Sequence, residues 1–203
     1  MQRKTFRKML CPVARTLDRV GEWWSMLILR DAFHGLTRFE QFQTSLEIAP
    51  NMLTRRLNAL VDEGLLERRR YSEHPPRYEY LLTEMGRDFW PVLVAFSVYG
   101  NRHFAEDGIA GRLVDAETGR PVDPVLIDRE SGDVLDRTRY TFGPGPAADA
   151  ALRMRMRYTE QRRAKKDGRE EWDAYVKLRE EARRLQPRTR KRATGKRPRR
   201  RAS

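Results

Sequence analysis

Along the first hundred positions the apolar residues recur at spacings that switch from helical to alternating and back. Residues 12–20 read as a helix, with Pro12 suited to its first position and Gly21 closing it. A second helix is expected from about Glu22 to Phe33. Trp24, Leu27 and Ile28 fall at helical spacing there, but Trp23, Met26, Leu29 and Phe33 are apolar too. A helix apolar nearly all round is buried on most sides, so its tryptophans are expected in the core. His34-Gly35 ends it. A short helix from Arg38 to about Ser45 puts Phe39 and Phe42 on one face, and Glu47-Ile48-Ala49-Pro50 reads as a turn.

The segment from Pro50 to about Glu63 carries the most information. Leu53, Leu57 and Leu60 lie at i, i+4 and i+7 with Val61 beside them, one apolar stripe. At 100° per residue, Arg55 lies opposite that stripe, flanked by Asn51 and Asn58, with Thr54 on the border. An exposed polar face usually means solvent. Asn, Thr and Arg are, however, the side chains that read adenine, thymine and guanine edges in a major groove. Gly64 ends the helix. Leu65–Tyr71 and Arg77–Leu82 then alternate as two strands, with Leu66, Tyr78, Tyr80 and Leu82 on one face and Arg68 and Arg70 extending a basic edge. Their connection, Ser72-Glu73-His74-Pro75-Pro76, is expected to splay at its tip. Thr83 caps a predicted final helix from Glu84 to about Phe104, whose apolar surface exceeds what a small domain covers by itself and so suggests an oligomer interface. Helix, helix, short helix, turn, amphipathic helix, hairpin and long helix make a winged helix-turn-helix, mainly α with a β-hairpin wing.

Charge changes the picture beyond residue 105. The net charge of +13 is uneven: residues 1–105 carry 16 basic and 12 acidic side chains, residues 106–150 five and ten, residues 151–203 21 and seven. Residues 187–203 hold nine basic side chains, no acidic ones and no large apolar one, the composition of a disordered tail. Between them, 113–122 and 126–135 are near copies offset by 13 residues, each with an Asp-x-Glu-(Thr/Ser)-Gly turn, read as two small β-hairpins. The acidic turns lack the ligand run of a calcium loop. Phe142–Pro146 is a linker, and 147–186 is charged, helix-compatible and interrupted near Gly168, free either to pack on a partner subunit or to fray. The expected organisation is a basic arm (1–10), the winged domain (11–105), the hairpin region with linker (106–146), a charged helical segment (147–186) and the Arg-rich tail (187–203).

Several classes drop out. Apolar stretches such as Met26–Leu29 and Pro91–Phe96 fall far short of the roughly 18 residues of a membrane span, and Met1–Leu10 is followed by no apolar core of a secretory leader. One cysteine, Cys11, excludes a disulfide framework and a multi-cysteine zinc module. His34, His74 and His103 have no metal spacing, and no phosphate loop, nucleophile elbow or paired thiol is present. No catalytic residue, metal or cofactor is expected, and the location expected is the cytoplasm, on the bacterial nucleoid.

The motifs resemble a family. Cys11-Pro12-Val13-Ala14, Trp24 with Leu27–Arg30, Arg38-Phe39, Ile48–Leu57, Glu63–Arg68, Pro75–Tyr80 and Leu82-Thr83 with Gly86 are similar to those of the HxlR-type regulators, bacterial dimeric winged-helix transcription factors. The resemblance implies a homodimer joined through the first and last core helices, bound to a roughly palindromic double-stranded DNA operator, more readily as a repressor. It implies that Arg38 meets phosphate, that Asn51, Thr54 and Arg55 face bases, that Arg56 lies on the groove wall, and that His74 and Arg77 form the wing contact. Many relatives have serine where this chain has Ala49, so the side-chain cap of the reading helix is expected to be missing, at a cost of about 1 kcal/mol. Cys11 is a candidate redox sensor, since a thiol at a helix N-terminus has a lowered pKa and some relatives use it so; the bland alternative is a small buried residue. A small-molecule effector is open. The rival reading is non-specific RNA or DNA binding, nucleoid-associated, driven by the Arg-rich tail.

Overall fold

The structure is a computed structural model that describes residues 5–185. It divides into two compact units, 1–140 and 141–203. The first begins with α1 (Pro12–Val20), α2 (Trp23–Phe33), α3 (Phe39–Leu46) and α4 (Pro50–Asp62). A two-stranded antiparallel sheet follows, β1 (Leu66–Ser72) with β2 (Arg77–Leu82), then α5 (Glu84–Arg87) and α6 (Trp90–His103).

Burial explains the helical arrangement. Ile28 and Leu29 of α2, Phe42 of α3 and Leu53, Leu57 and Leu60 of α4 are fully buried in one cluster, closed by Val20, Ile48, Leu66, Tyr80 and Phe89. Each such side chain contributes about 1.5–3 kcal/mol by leaving water, and the i, i+4, i+7 spacing in α4 puts three of them on one edge. Gly64 takes φ +75°, and Leu65 N–H donates to Leu60 O at 2.9 Å, so the chain leaves α4 sharply into the wing. Gly21 ends α1 differently. Its φ is −73°, and a Cβ there would lie 2.3 Å from the Leu17 carbonyl oxygen, so close approach rather than left-handed backbone requires glycine.

Three expectations are corrected. Trp23, expected in the core, is 75% exposed, because α2 buries Ser25, Ile28 and Leu29 on one side and turns residue 23 away. The helix expected over 84–104 is broken after Arg87: Pro91 has no N–H to donate and its ring clashes with the carbonyl four residues back, so α6 starts afresh with Pro91 in its first turn. Phe89 plugs the core at that break, and Thr83 Oγ1 both accepts from Gly86 N–H at 3.0 Å and donates to Gly64 O at 2.6 Å, pinning α5 to the end of α4. The wing tip is closed rather than splayed. Ser72 pairs with Arg77 across a bulge, Ser72 Oγ donates to Pro75 O at 2.9 Å, and the His74–Pro75 peptide is cis.

Beyond α6 the near copies form matched minimal hairpins, each held by one isolated bridge, Val114 with Pro121 and Ile127 with Val134. In the first, Asp115 accepts from the Thr118 amide and hydroxyl, both at 2.8 Å; in the second, Asp128 accepts from the Ser131 amide and hydroxyl at 3.1 and 2.8 Å. The second unit is a pair of helices, α7 (Ala150–Arg163), capped by Asp149, and α8 (Arg169–Leu185). They pack on each other, with the Tyr158 and Trp172 rings 5.2 Å apart, so the thin apolar stripe of this segment finds its partner within the chain. The Arg-rich tail, 187–203, lies outside the described residues.

Candidate nucleic-acid interface

Helix α4 is built as its spacing demands. Asn51, Thr54, Arg55 and Asn58 are exposed on α4 while Leu53, Leu57 and Leu60 are wholly inside. Thr54 Oγ1 donates to Pro50 O at 2.9 Å, which occupies its hydroxyl. Among the described residues Arg55 Nη2 approaches only the Met52 sulfur, at 3.2 Å, a weak contact that leaves the guanidinium able to swing outward. Ala49 makes no side-chain cap, as its methyl dictates, and its carbonyl accepts from Met52 and Leu53 N–H at 2.9 and 3.0 Å.

Arg56 departs from expectation. Instead of lying on an outer wall it is turned inward, 16% exposed, with Nη2 3.1 Å from Glu22 Oε2 at the start of α2. One residue is 100° of helix, and that rotation carries position 56 from the polar face of α4 onto its contact with α2. Its Nε is buried without a hydrogen-bond partner among the described residues. Asp31 of α2 is buried as well. Its Oδ1 accepts from Arg30 Nε and Nη2 at 2.9 and 2.7 Å, and its Oδ2 has no partner among the described residues.

Arg38 stands at the N-cap of α3, where Gln41 Oε1 accepts from the Thr37 and Arg38 amides at 3.0 and 2.9 Å. Its guanidinium lies over the Tyr71 ring of the wing, 4.7 Å from the centroid. Tyr80 N–H donates to Thr37 O at 2.7 Å, so the turn before α3 is stitched to β2. The Arg38–Tyr71 contact was not legible in the sequence: the residues are far apart, and the period-two pattern of the strand says nothing of what its outer face meets.

The wing itself is a row of arginines. Arg68 lies over Tyr78 at 4.8 Å, Arg69 pairs with Glu79 at 2.8 Å, Arg70 pairs with Glu73 at 3.0 Å, and Arg77 and His74 are exposed at the tip. Burial pushes the Tyr80 phenol up, and the Arg68 charge and hydrogen bond beside it pull partly the other way. Cys11 stands at the N-cap of α1, half-buried, at a distance along the chain from all of these. Among the described residues no cluster of His, Cys, Asp and Glu could hold a metal, and no helix is long and apolar enough to cross a membrane. The arrangement is a cationic, hydrogen-bonding surface of α3, α4 and wing.

The profile of the HxlR-like helix-turn-helix family matches residues 19–108. An uncharacterised helix-turn-helix-type transcriptional regulator of Mycobacterium tuberculosis is 39% identical over 141 residues, 69% of this chain and 89% of its own. A solved candidate transcription factor from Pseudomonas aeruginosa is 53% identical with a TM-score of 0.54, over 71% of this chain and 99% of its own. A second solved candidate transcription factor is 40% identical with a TM-score of 0.64, over 70% and 100%. The relatives are regulators rather than enzymes. With the reading helix and wing in place, and this extent of identity, the chain belongs to the HxlR-like helix-turn-helix family of transcriptional regulators.

Proposed function

We propose that the protein binds a roughly palindromic operator as a homodimer and represses transcription by occupying it. The observation that carries this reading is α4, whose three buried leucines aim Asn51, Thr54 and Arg55 outward as a unit. On this reading Arg55 takes a guanine edge, Asn51 an adenine and the Thr54 methyl a thymine. Arg38, backed by Tyr71, and His74 with Arg77 hold flanking phosphates and set the register. Repression is the simpler device, since occupancy suffices and no contact with polymerase is needed. The dimer reading is supported by α6, which has no buried residue in the single chain although Val92, Phe96 and Tyr99 are apolar, and by Val13 and Leu17, exposed on α1. A thiol response is supported by the position of Cys11 at the head of that same α1. A regulator of this kind acts in the cytoplasm.

The test is DNA selection from a random pool by the full chain, followed by Arg55→Ala. The variant is expected to lose about 1–3 kcal/mol of discrimination between the selected sequence and random DNA; equal discrimination by variant and wild type would count against the reading. Removing residues 187–203 separates the rival: the selected sequence stays preferred if α4 reads it, and most binding disappears if the tail alone attracts nucleic acid. For the thiol, diamide should release DNA from the wild type and not from Cys11→Ser.

A further inference from the structure

We propose that the cavity between α2, α6 and the segment 109–124 binds a small apolar anion, such as an aromatic carboxylic acid, and that α2 passes its occupancy to the reading helix. The cavity is a half-open cleft of about 930 Å³, with Phe96, Ser97, Arg102 and Arg112 at its exposed mouth, within the range of roughly 300–1,000 Å³ usual for small-molecule sites. Its walls are apolar, Met26 and Leu27 from α2 and Leu93 and Val94 from α6. Arg102, Arg112 and His34 line it against a single carboxylate, Asp123. Arg30 also faces it, but two of its nitrogens are spent on the buried Asp31. Arg102 and Arg112 have no ion-pair partner among the described residues. An apolar body with one negative charge satisfies both the walls and the two arginines. The outer wall is fastened to α6 by Asn101 Nδ2, which donates to Gly111 O at 2.8 Å.

Two helical faces separate this site from its neighbours. On α6, Trp90, Val94, Ser97 and Asn101 fall on the cavity side, and Val92, Tyr99 and His103 on the opposite side assigned above to a second copy; Phe96 alone reaches both. On α2, Leu27 and Arg30 line the cavity, with His34 just beyond the helix end, Ser25, Ile28 and Leu29 are buried on the side of the core that holds α4, and Met26 touches both. The Glu22–Arg56 pair adds a polar tie between the same two helices. A ligand pressing on one side of α2 therefore acts on a rod whose other side is packed against the leucines of the reading helix.

The signalling half of this inference rests on the regulator reading, so binding and signalling are tested apart. Full-length protein is titrated with 8-anilinonaphthalene-1-sulfonate, followed by fluorescence, and the dye is displaced with 2-naphthoate or with the uncharged 2-naphthalenemethanol. The expected result is saturable binding that 2-naphthoate displaces better than the alcohol. Ser97→Trp, which fills the cavity, should weaken binding at least about tenfold. Arg102→Glu with Arg112→Glu, both on exposed positions that leave the core intact, should weaken it about three- to fivefold. Tyr99→Ser should leave it unchanged. Dye binding that ignores both cavity variants, or that is lost in Tyr99→Ser, overturns the proposal, as does a change of oligomeric mass in Ser97→Trp. In the second stage 2-naphthoate should shift the affinity of the wild type for its selected DNA and not that of Ser97→Trp. A chain that selects no DNA sequence while keeping cavity-dependent dye binding would sink the regulator reading and sustain the ligand site; sequence-selective DNA binding without cavity-dependent dye binding would do the reverse.

Discussion

Arg55 and Arg56 are adjacent and chemically identical but stand in opposite surroundings, and the difference is a rotation of one residue about α4. Arg55 is exposed with one weak contact among the described residues, so on the proposed function its removal is expected to change recognition and to leave folding within about 0.5 kcal/mol. Arg56 pairs with Glu22 in a half-enclosed setting, between an exposed ion pair worth under 1 kcal/mol and a buried one whose rupture costs about 3–5. Arg56→Ala is therefore expected to destabilise the protein by about 1–3 kcal/mol in urea unfolding, with weakened DNA binding only as a consequence. An unchanged midpoint, paired with lost sequence preference, would return Arg56 to the DNA surface. Position decides Arg38 as well: its ring contact with Tyr71 fixes where the charge stands, the place that the proposed phosphate contact requires.

At the scale of elements, the matched hairpins after α6 show how a short motif builds a turn without a core. In each, one aspartate accepts the amide and hydroxyl of the Ser or Thr three residues on. The Thr118 hydroxyl first, then its amide, hold the Asp115 carboxyl below the usual carboxylate range, and Ser131 does the same for Asp128. A depressed folded-state value means that the ionised form supports the turn: the contribution is present above the unfolded value of about 3.9 and is lost as pH falls through the lower folded one. The amide signals of Thr118 and Ser131 in NMR spectra are accordingly expected to hold steady above about pH 4 and to titrate together below it. In Asp115→Asn the Thr118 signal should no longer titrate while Ser131 still does. Titration near the unperturbed value would show that the turns do not hold the carboxylates. The break between α5 and α6 is decided just as locally, by Pro91, the same residue type that opens α1 and α4.

For the molecule as a whole the open question is what covers α6, and the proposed answer is a second copy. Charged residues placed in that face should dissociate it. Val92→Asp with Tyr99→Asp is expected to halve the mass seen by light scattering, and to weaken operator binding by about a hundredfold or more, since the second half-site is then no longer tethered. A variant that keeps the wild-type mass would place the interface elsewhere. The cavity on the other side of α6 makes a separate demand on the same helix, and the two sets of variants are distinguishable because they lie on different faces.

The winged helix-turn-helix, the inner edge of α4 and its outward Asn51, Thr54 and Arg55 were determined by the sequence, because burial periodicity reports which way a side chain faces. Gly64 and Thr83 were legible for a different reason, each answering a local backbone need. Pro91 was equally local, and the expectation of one unbroken helix let the apolar run outweigh the missing N–H. Only the tertiary structure decided that Glu22 waits for Arg56, that Tyr71 lies under Arg38, and that residues 26 and 124 line one cavity. Periodicity gives a direction from the helix axis. It does not say which distant neighbour stands there, and that is settled when the helices pack and long polar side chains take the partners left within reach.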